Sequence, residues 1–283
     1  MMITGRYAPS PTGDLHLGNL STALLAWLHA RLKGGRFLMR MEDLDTPRVV
    51  PGSADKILAD LEWLGLDWDG EVVYQSQRQA LYQQALEILS ERNLIYPCFC
   101  SRKDIQLAAS APHAPTGVYP GTCSDLTAAA IAERTRAKSP AFRLRVESDL
   151  EADCGDFIVK RADQLFAYQL AVVVDDLEQK ISHVVRGQDL IDSTGRQQYL
   201  ARLLQPNIPS IEYHHVPLVC DSSGQRLAKR DGSTGVAHWR AEGKSAEDLV
   251  GDLSKQLGLM PTAEPLSANE LLARIDIFAL PMS

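Results

Sequence analysis

Residues 9–13 read Pro-Ser-Pro-Thr-Gly, a stiff turn set between a short strand candidate and a long leucine-patterned helix. Proline fixes its own φ near about −65° and glycine takes conformations that other residues avoid, so the chain must reverse here. The strand candidate covers residues 3–8 and stops at Pro9. Beyond the turn, Leu17, Leu20, Leu24, Leu25, Leu28 and Leu32 recur at helical spacing up to Gly34 and Gly35. Arg36–Met41 reads as a second strand, Ile57, Leu58, Leu61 and Leu64 as a second helix, and Leu81, Ala85, Ile88 and Leu89 as a third. Strands separated by whole helices pair in parallel, so the first 95 residues predict a parallel sheet with crossover helices.

The middle of the chain has another texture. Cysteine, proline and glycine crowd residues 96–123, and residues 142–146 alternate apolar with basic, as a half-exposed strand does. Leu170 to Val174 is apolar throughout, which reads as a strand buried on both faces. Thr194–Leu204 then reads as a helix and residues 213–219 as a strand. Leu249, Val250, Leu253 and Leu257 mark an amphipathic helix in the tail. The expected class is α/β, a Rossmann-like fold split by an insertion. Residues 1–95 form its first half, 96–165 the inserted subdomain, 166–235 the second half and 236–283 a short helical stem.

Charge and cysteine content narrow the chemistry. Lys and Arg total 29 against 36 Asp and Glu, a net charge of −7. Such a balance disfavours proteins that grip nucleic acid non-specifically, because that binding depends on neutralising phosphates. No apolar run approaches the roughly 20 residues of a membrane span. The first residues lack a basic stretch followed by an apolar one, so a cytoplasmic protein without membrane contact is expected. Five cysteines without an export signal point away from a disulfide framework.

The string from Arg6 to Asn19 (RYAPSPTGDLHLGN) lies where the first strand meets the first helix. Open parallel sheets bind nucleotides there, beside helix N–H groups that lack intrahelical partners. His16 offers a donor to a phosphate, and Gly18 lets a planar base approach the backbone. Cys98, Cys100 and Cys123 form a second constellation. Zinc prefers four tetrahedral ligands, with thiolates common in structural sites, and these three leave one position open. His113 is the fourth candidate by residue type; three buried thiols without a metal are the alternative. Cys154 and Cys220 stand alone and read as buried thiols.

Taken together, the motifs resemble those of glutamyl-tRNA synthetases, the class I aminoacyl-tRNA synthetases of glutamate. His16 to Asn19 resembles the "HIGH" element, and Arg40 to Arg48 (RMEDLDTPR) the acidic segment after the second strand. Asp175 and Asp176, then HVVRGQDL from His183 and STGRQ from Ser193, resemble the second catalytic half. Arg226 to Arg230 (RLAKR) stands where the "KMSKS" loop belongs, keeping Lys229 of its two lysines. Only about fifty residues follow, so no anticodon-binding domain is expected. With the cysteines, this narrows the likeness to the truncated glutamyl-Q tRNA(Asp) synthetases.

The resemblance implies ATP, L-glutamate and tRNA(Asp) carrying queuosine as partners, with Mg²⁺ accompanying ATP and one structural Zn²⁺. It implies His16 and Lys229 as catalytic residues, and His16, Gly18, Asn19 and Lys229 as ATP contacts. Arg6, Ala8, Ser10, Glu42, Tyr168 and Arg186 would line the glutamate site, and Tyr119 would join Cys98, Cys100 and Cys123 on the metal. On residues alone, Glu42 is equally one solvated charge of an acidic run, and Arg226, Lys229 and Arg230 a solvated basic turn. Three rivals remain at this point: a glutamyl-tRNA synthetase fragment charging tRNA(Glu), a glutaminyl enzyme, and a non-catalytic paralogue that binds glutamate. Arg186 speaks against glutamine, because a buried guanidinium facing an amide lacks its counter-charge.

Overall fold

The structure, a computed structural model, describes residues 2–101, 103–105, 118–147, 155–217 and 235–283. They form two compact units. The first comprises Met1–Ser76, Lys180–Ile191 and Ser210–Ser283, and the second Gln77–Gln179 and Asp192–Pro209.

The first unit is built on parallel strands. β1 (Thr4–Tyr7) pairs in parallel with β2 (Arg36–Met41), Thr4 opposite Arg36 and Tyr7 opposite Met39. β2 pairs in turn with the short β3 (Val73–Tyr74). A second parallel pair, β7 (His183–Gly187) and β8 (Glu212–Val216), places Arg186 opposite His215. The two sets meet along β1, where Ser182 N–H donates to Thr4 O at 2.9 Å and Thr4 N–H donates to Ser182 Oγ at 2.9 Å.

The crossover between β1 and β2 is α1 (Leu17–Leu32), buried on nearly all sides by Leu20, Leu24, Leu25, Trp27 and Leu28. A helix apolar all round belongs in a core, and the main core forms around it with Phe37, Met39, Met41, Val185 and Val216. α2 (Ser53–Trp63), α7 (Val236–Ala241), α8 (Ala246–Gln256) and α9 (Ala268–Arg274) complete this unit. Ser245 and Ser267 close capping boxes that fix the starts of α8 and α9.

The second unit carries an antiparallel sheet of β4 (Ile95–Cys98), β5 (Ala141–Leu144) and β6 (Phe157–Lys160), β5 in the middle. Its helices are α3 (Gln79–Glu91), α4 (Ala128–Ala137), α5 (Tyr168–Glu178) and α6 (Thr194–Leu204). The apolar run from Leu170 corrects the sequence expectation: it is the interior of α5, not a strand. A short continuous apolar run is ambiguous between a strand buried on both faces and a buried helix. Here Leu170, Ala171, Val172, Val173 and Leu177 are all buried, and so is Asp175. Asp175 is held by Arg78 Nε at 2.7 Å and by the Tyr82 hydroxyl, which donates at 2.9 Å. No helix among the described residues is long and apolar enough to cross a membrane.

One cluster makes the first unit acid-sensitive. On the α1 side of the sheet, the His29 ring lies 5.4 Å from that of His183 and 4.7 Å from that of His214. Burial, helped by His214, Lys33 and His183, lowers the pKa of His29 to about 3. Burial also lowers His183 and His214, against the opposing pull of Glu212. An unfolded chain protonates these rings from about pH 6.5 downwards, whereas the folded chain resists. Their contribution is therefore complete above about pH 6.5 and is lost as pH falls, on the order of 1–2 kcal/mol from His29 by pH 5. Thermal midpoints measured from pH 7 to 5 should fall, and His29→Asn should flatten that slope.

Candidate functional site

Strand alternation arranges the first unit's site. Tyr7, Met39, Met41, Val185 and Val216 enter the main core with α1, so their neighbours Arg6, Arg40, Arg186 and His215 project from the opposite face. Each of those four is the penultimate residue of its strand, and all are buried. A row of three arginines thus lines the carboxyl ends of β2, β1 and β7, the edge at which open α/β sheets take ligands. Guanidinium forks match carboxylates and phosphates.

Arg186 is oriented from two directions. Its Nε donates to His215 Nε2 at 3.3 Å, and its guanidinium lies 4.6 Å from the centroid of the Tyr213 ring. An imidazole nitrogen can accept only when unprotonated. Burial first, then the adjacent Arg186 charge, lowers the His215 pKa and keeps that nitrogen available. Arg40 and Glu42 are neighbours, Nη2 to Oε1 at 3.7 Å, and the Glu42 side chain is only 10% exposed. The rest of the acidic run behaves differently. Asp43 accepts the Ser76 N–H at 2.8 Å and its hydroxyl at 2.6 Å, and Asp45 lies 4.0 Å from Arg48.

The turn after β1 is clamped before it delivers His16. Gly13 has φ 126°, in the region that favours glycine. Its N–H donates to Ser53 Oγ at 3.1 Å, and the same hydroxyl donates back to Gly13 O at 2.8 Å. Glu42 N–H and Val50 N–H donate to Pro9 O and Pro11 O, each at 2.9 Å, tying the acidic segment to the turn. Ala8 is half-buried within it and Ser10 is exposed.

His16 is the N-cap of α1. Its Nδ1 accepts Asn19 N–H at 3.3 Å, while Asn19 Oδ1 accepts His16 N–H at 3.4 Å, closing a reciprocal box. With Nδ1 accepting, the proton of the neutral ring sits on Nε2, which makes Nε2 a donor. A Cβ at Gly18 would lie 3.1 Å from His16 Cε1 and 3.2 Å from Nδ1. Glycine at 18 therefore makes room for the His16 ring. Tyr7 adds a brace, its hydroxyl donating to Asn19 O at 3.2 Å.

The second unit holds the cysteines. Cys98 ends β4, and Cys98, Cys100 and Cys123 bring their sulfurs within 4.8 Å of one another. Tyr119 Oη lies 3.4 Å from both Cys98 Sγ and Cys100 Sγ, and accepts Cys123 N–H at 3.0 Å. Cys100 Sγ and Cys123 Sγ are 3.6 Å apart. A tetrahedral metal with thiolates at about 2.3 Å and an oxygen at about 2.0 Å needs S···S near about 3.8 Å and S···O near about 3.5 Å. The Cys100–Cys123 spacing and the two Tyr119–sulfur spacings suit that arrangement. Burial pushes the Cys100 thiol up to about 11 and the Tyr119 hydroxyl above its ordinary value, so a cation's charge is what would ionise them.

Tyr168 begins α5 in the second unit and is partly exposed. Lys229, Arg226, Arg230, His113, Cys154 and Cys220 lie outside the described residues. Sequence reasoning did not single out Arg40, His215, Ser53 or Arg143. Arg40 and Arg143 carried a faint signal, each an arginine flanked on both sides by apolar residues.

The chain matches the family described as "tRNA synthetases class I (E and Q), catalytic domain" over residues 2–277. It belongs to that family. A Nocardia farcinica protein named "Glutamyl-Q tRNA(Asp) synthetase" is 53% identical, the match covering 98% of this chain and 90% of that one. One of the same name from Symbiobacterium thermophilum is 45% identical over 99% of this chain and 94% of that one. The glutamate-tRNA synthetase structure from Elizabethkingia anophelis superposes with a TM-score of 0.81 at 25% identity, covering 99% of this chain and 67% of that one. The α/β fold is thus that of the class I synthetase catalytic domain, and the chain is an aminoacyl-tRNA synthetase-like ligase.

Gly18→Ala separates catalysis from stability. Alanine is the better helix former by about 1 kcal/mol, yet its methyl displaces the His16 ring. The thermal midpoint should move little, because the helix-propensity gain is offset by strain on the His16 cap. Glutamate-dependent ATP–pyrophosphate exchange should fall at least about tenfold, since small misplacements of reacting groups are costly.

Proposed function

We propose that the chain activates L-glutamate with ATP, without tRNA, and transfers the glutamyl group to the queuosine of tRNA(Asp). The observation that carries this is the near-full-length identity to proteins named for that activity. The row of buried arginines and the helix-capping His16 support it, since glutamate presents two carboxylates and ATP a polyphosphate.

In the first step an oxygen of the glutamate α-carboxylate bonds to the α-phosphorus of ATP. The bond from that phosphorus to the bridging oxygen breaks, and pyrophosphate leaves with the electron pair. Negative charge gathers on phosphate oxygens, so catalysis is positioning and electrostatic stabilisation. His16 donates from Nε2 to a phosphate, and Lys229, in the segment whose sequence resembles KMSKS, supplies a second positive group to the phosphates. Glu42, beside Arg40, takes the ammonium of glutamate, while Arg6 and Arg186 take its carboxylates. Mg²⁺, when bound with ATP, screens the phosphate charge. In the second step a hydroxyl of queuosine attacks the activated carbonyl and releases AMP. We place this reaction in the cytoplasm.

Cys98, Cys100, Cys123 and Tyr119 would hold one Zn²⁺, a structural ion of an inserted subdomain. Gently purified protein should contain close to one equivalent, and less than half would count against the assignment. Cys98→Ser should lose the ion and destabilise the second unit, because structural zinc supplies on the order of 10 kcal/mol of folding energy.

The functional test uses two substrates in turn. Protein, ATP, Mg²⁺ and glutamate alone should support pyrophosphate exchange. Labelled glutamate should then appear on tRNA from normal cells and not on tRNA from cells that cannot make queuosine. Exchange that begins only when tRNA is added, or equal labelling of both tRNA pools, would replace this reading with a glutamyl-tRNA synthetase acting on tRNA(Glu).

A further inference from the structure

We propose that Arg143 is a positioning residue of the metal centre, its charge offsetting the thiolates and its Nε–H fixing Cys98 as a ligand; this rests on the metal reading above. Arg143 lies on β5 and is 6% exposed. Its Nε donates to Cys98 Sγ at 3.3 Å, and its guanidinium carbon sits 3.7 Å from the centroid of the Tyr119 ring. Nη1 donates to Asp156 O at 2.8 Å, which anchors the far side of the fork. One planar group thus touches two of the four liganding side chains and ties them to the sheet.

The charge balance points the same way. A guanidinium this far from water needs a counter-charge nearby. Among the described residues no carboxylate forms an ion pair with Arg143; its partners are a sulfur, an aromatic face and a peptide oxygen. The thiolates of a metal-loaded site supply the missing negative charge, one of them through a direct hydrogen bond. In return, a site of three thiolates around a divalent ion gains a cation that reduces its excess negative charge. Backbone geometry serves this contact too, since the β5–β6 register shifts between Phe142 and Arg143. Such an irregularity re-aims a side chain.

Partners that orient metal ligands are typically worth about 10–100-fold in metal affinity. Zinc affinity of the full chain, measured by chelator competition, should weaken by about that factor in Arg143→Met and by less in Arg143→Lys. With Co²⁺ as the probe, the sulfur-to-metal charge-transfer absorption should move to lower energy in Arg143→Met, because Cys98 loses its hydrogen bond. A packing role predicts the reverse order of affinities, as Met fills the apolar volume better than Lys. Unchanged affinity in Arg143→Met, that reversed order, or weakened affinity with an unmoved absorption would each overturn the proposal. Wild-type protein that takes up neither ion would remove the metal reading and this proposal with it, and the wild-type arm alone reveals that outcome.

Discussion

β1 is engaged on both edges, and the first unit is organised around that fact. Arg36 N–H donates to Ile3 O at 2.9 Å on one side, and Ser182 N–H donates to Thr4 O at 2.9 Å on the other. A four-residue strand held between two neighbours has no freedom to slip, because a shift of one residue would exchange its faces. Tyr7 would leave the core and Arg6 would enter it. The same register fixes where the chain leaves the sheet, and hence where the Pro9–Gly13 turn begins. From there Ser53 secures Gly13, Tyr7 secures Asn19, and His16 starts the helix.

His16 shows how one side chain can fix a helix start and its own tautomer together. An N-cap needs an acceptor for a helix N–H, usually a small oxygen-bearing side chain. An imidazole meets that need with Nδ1 and, by doing so, assigns its proton to Nε2. In the second unit the thiol cluster is built into the sheet itself. Cys98 is both the end of β4 and a sulfur donor, so the sheet and the thiol cluster cannot move independently.

Much of the first unit was legible in the sequence because its signals are local. The leucines of α1 follow one helical period, glycines 34 and 35 end it, and Arg36–Met41 is β2 as read. In the second unit α3, α6 and β5 fall where the sequence put a helix, a helix and a strand, whereas β4, β6 and α4 went unread. α4 is Ala-rich and buries none of its side chains, so it has no stripe to detect. The first unit hid one strand as well, since β7 is five residues of which the first four are buried, with no alternation in hydropathy to mark it. The run from Leu170 gave the wrong element, since identical apolar residues suit a buried strand and a buried helix. For the site, the motifs named the turn and the cysteines, but partners distant in sequence were invisible. Nothing in the spacing ties Arg186 to His215, or Cys98 to Arg143 on a neighbouring strand.

The join between β1 and β7 has a consequence for biosynthesis. Thr4 and Ser182 are 178 residues apart in the chain. At roughly 5–20 residues per second, the ribosome needs on the order of 10–35 s to deliver the second strand after the first. Throughout that interval one edge of β1 exposes unpaired N–H and C=O groups, a template for wrong partners. The second unit's main stretch, Gln77–Gln179, is made entirely within the same interval and carries a sheet of its own. The newborn chain therefore carries an open edge on β1 until β7 arrives, at a point when the second unit still awaits Asp192–Pro209.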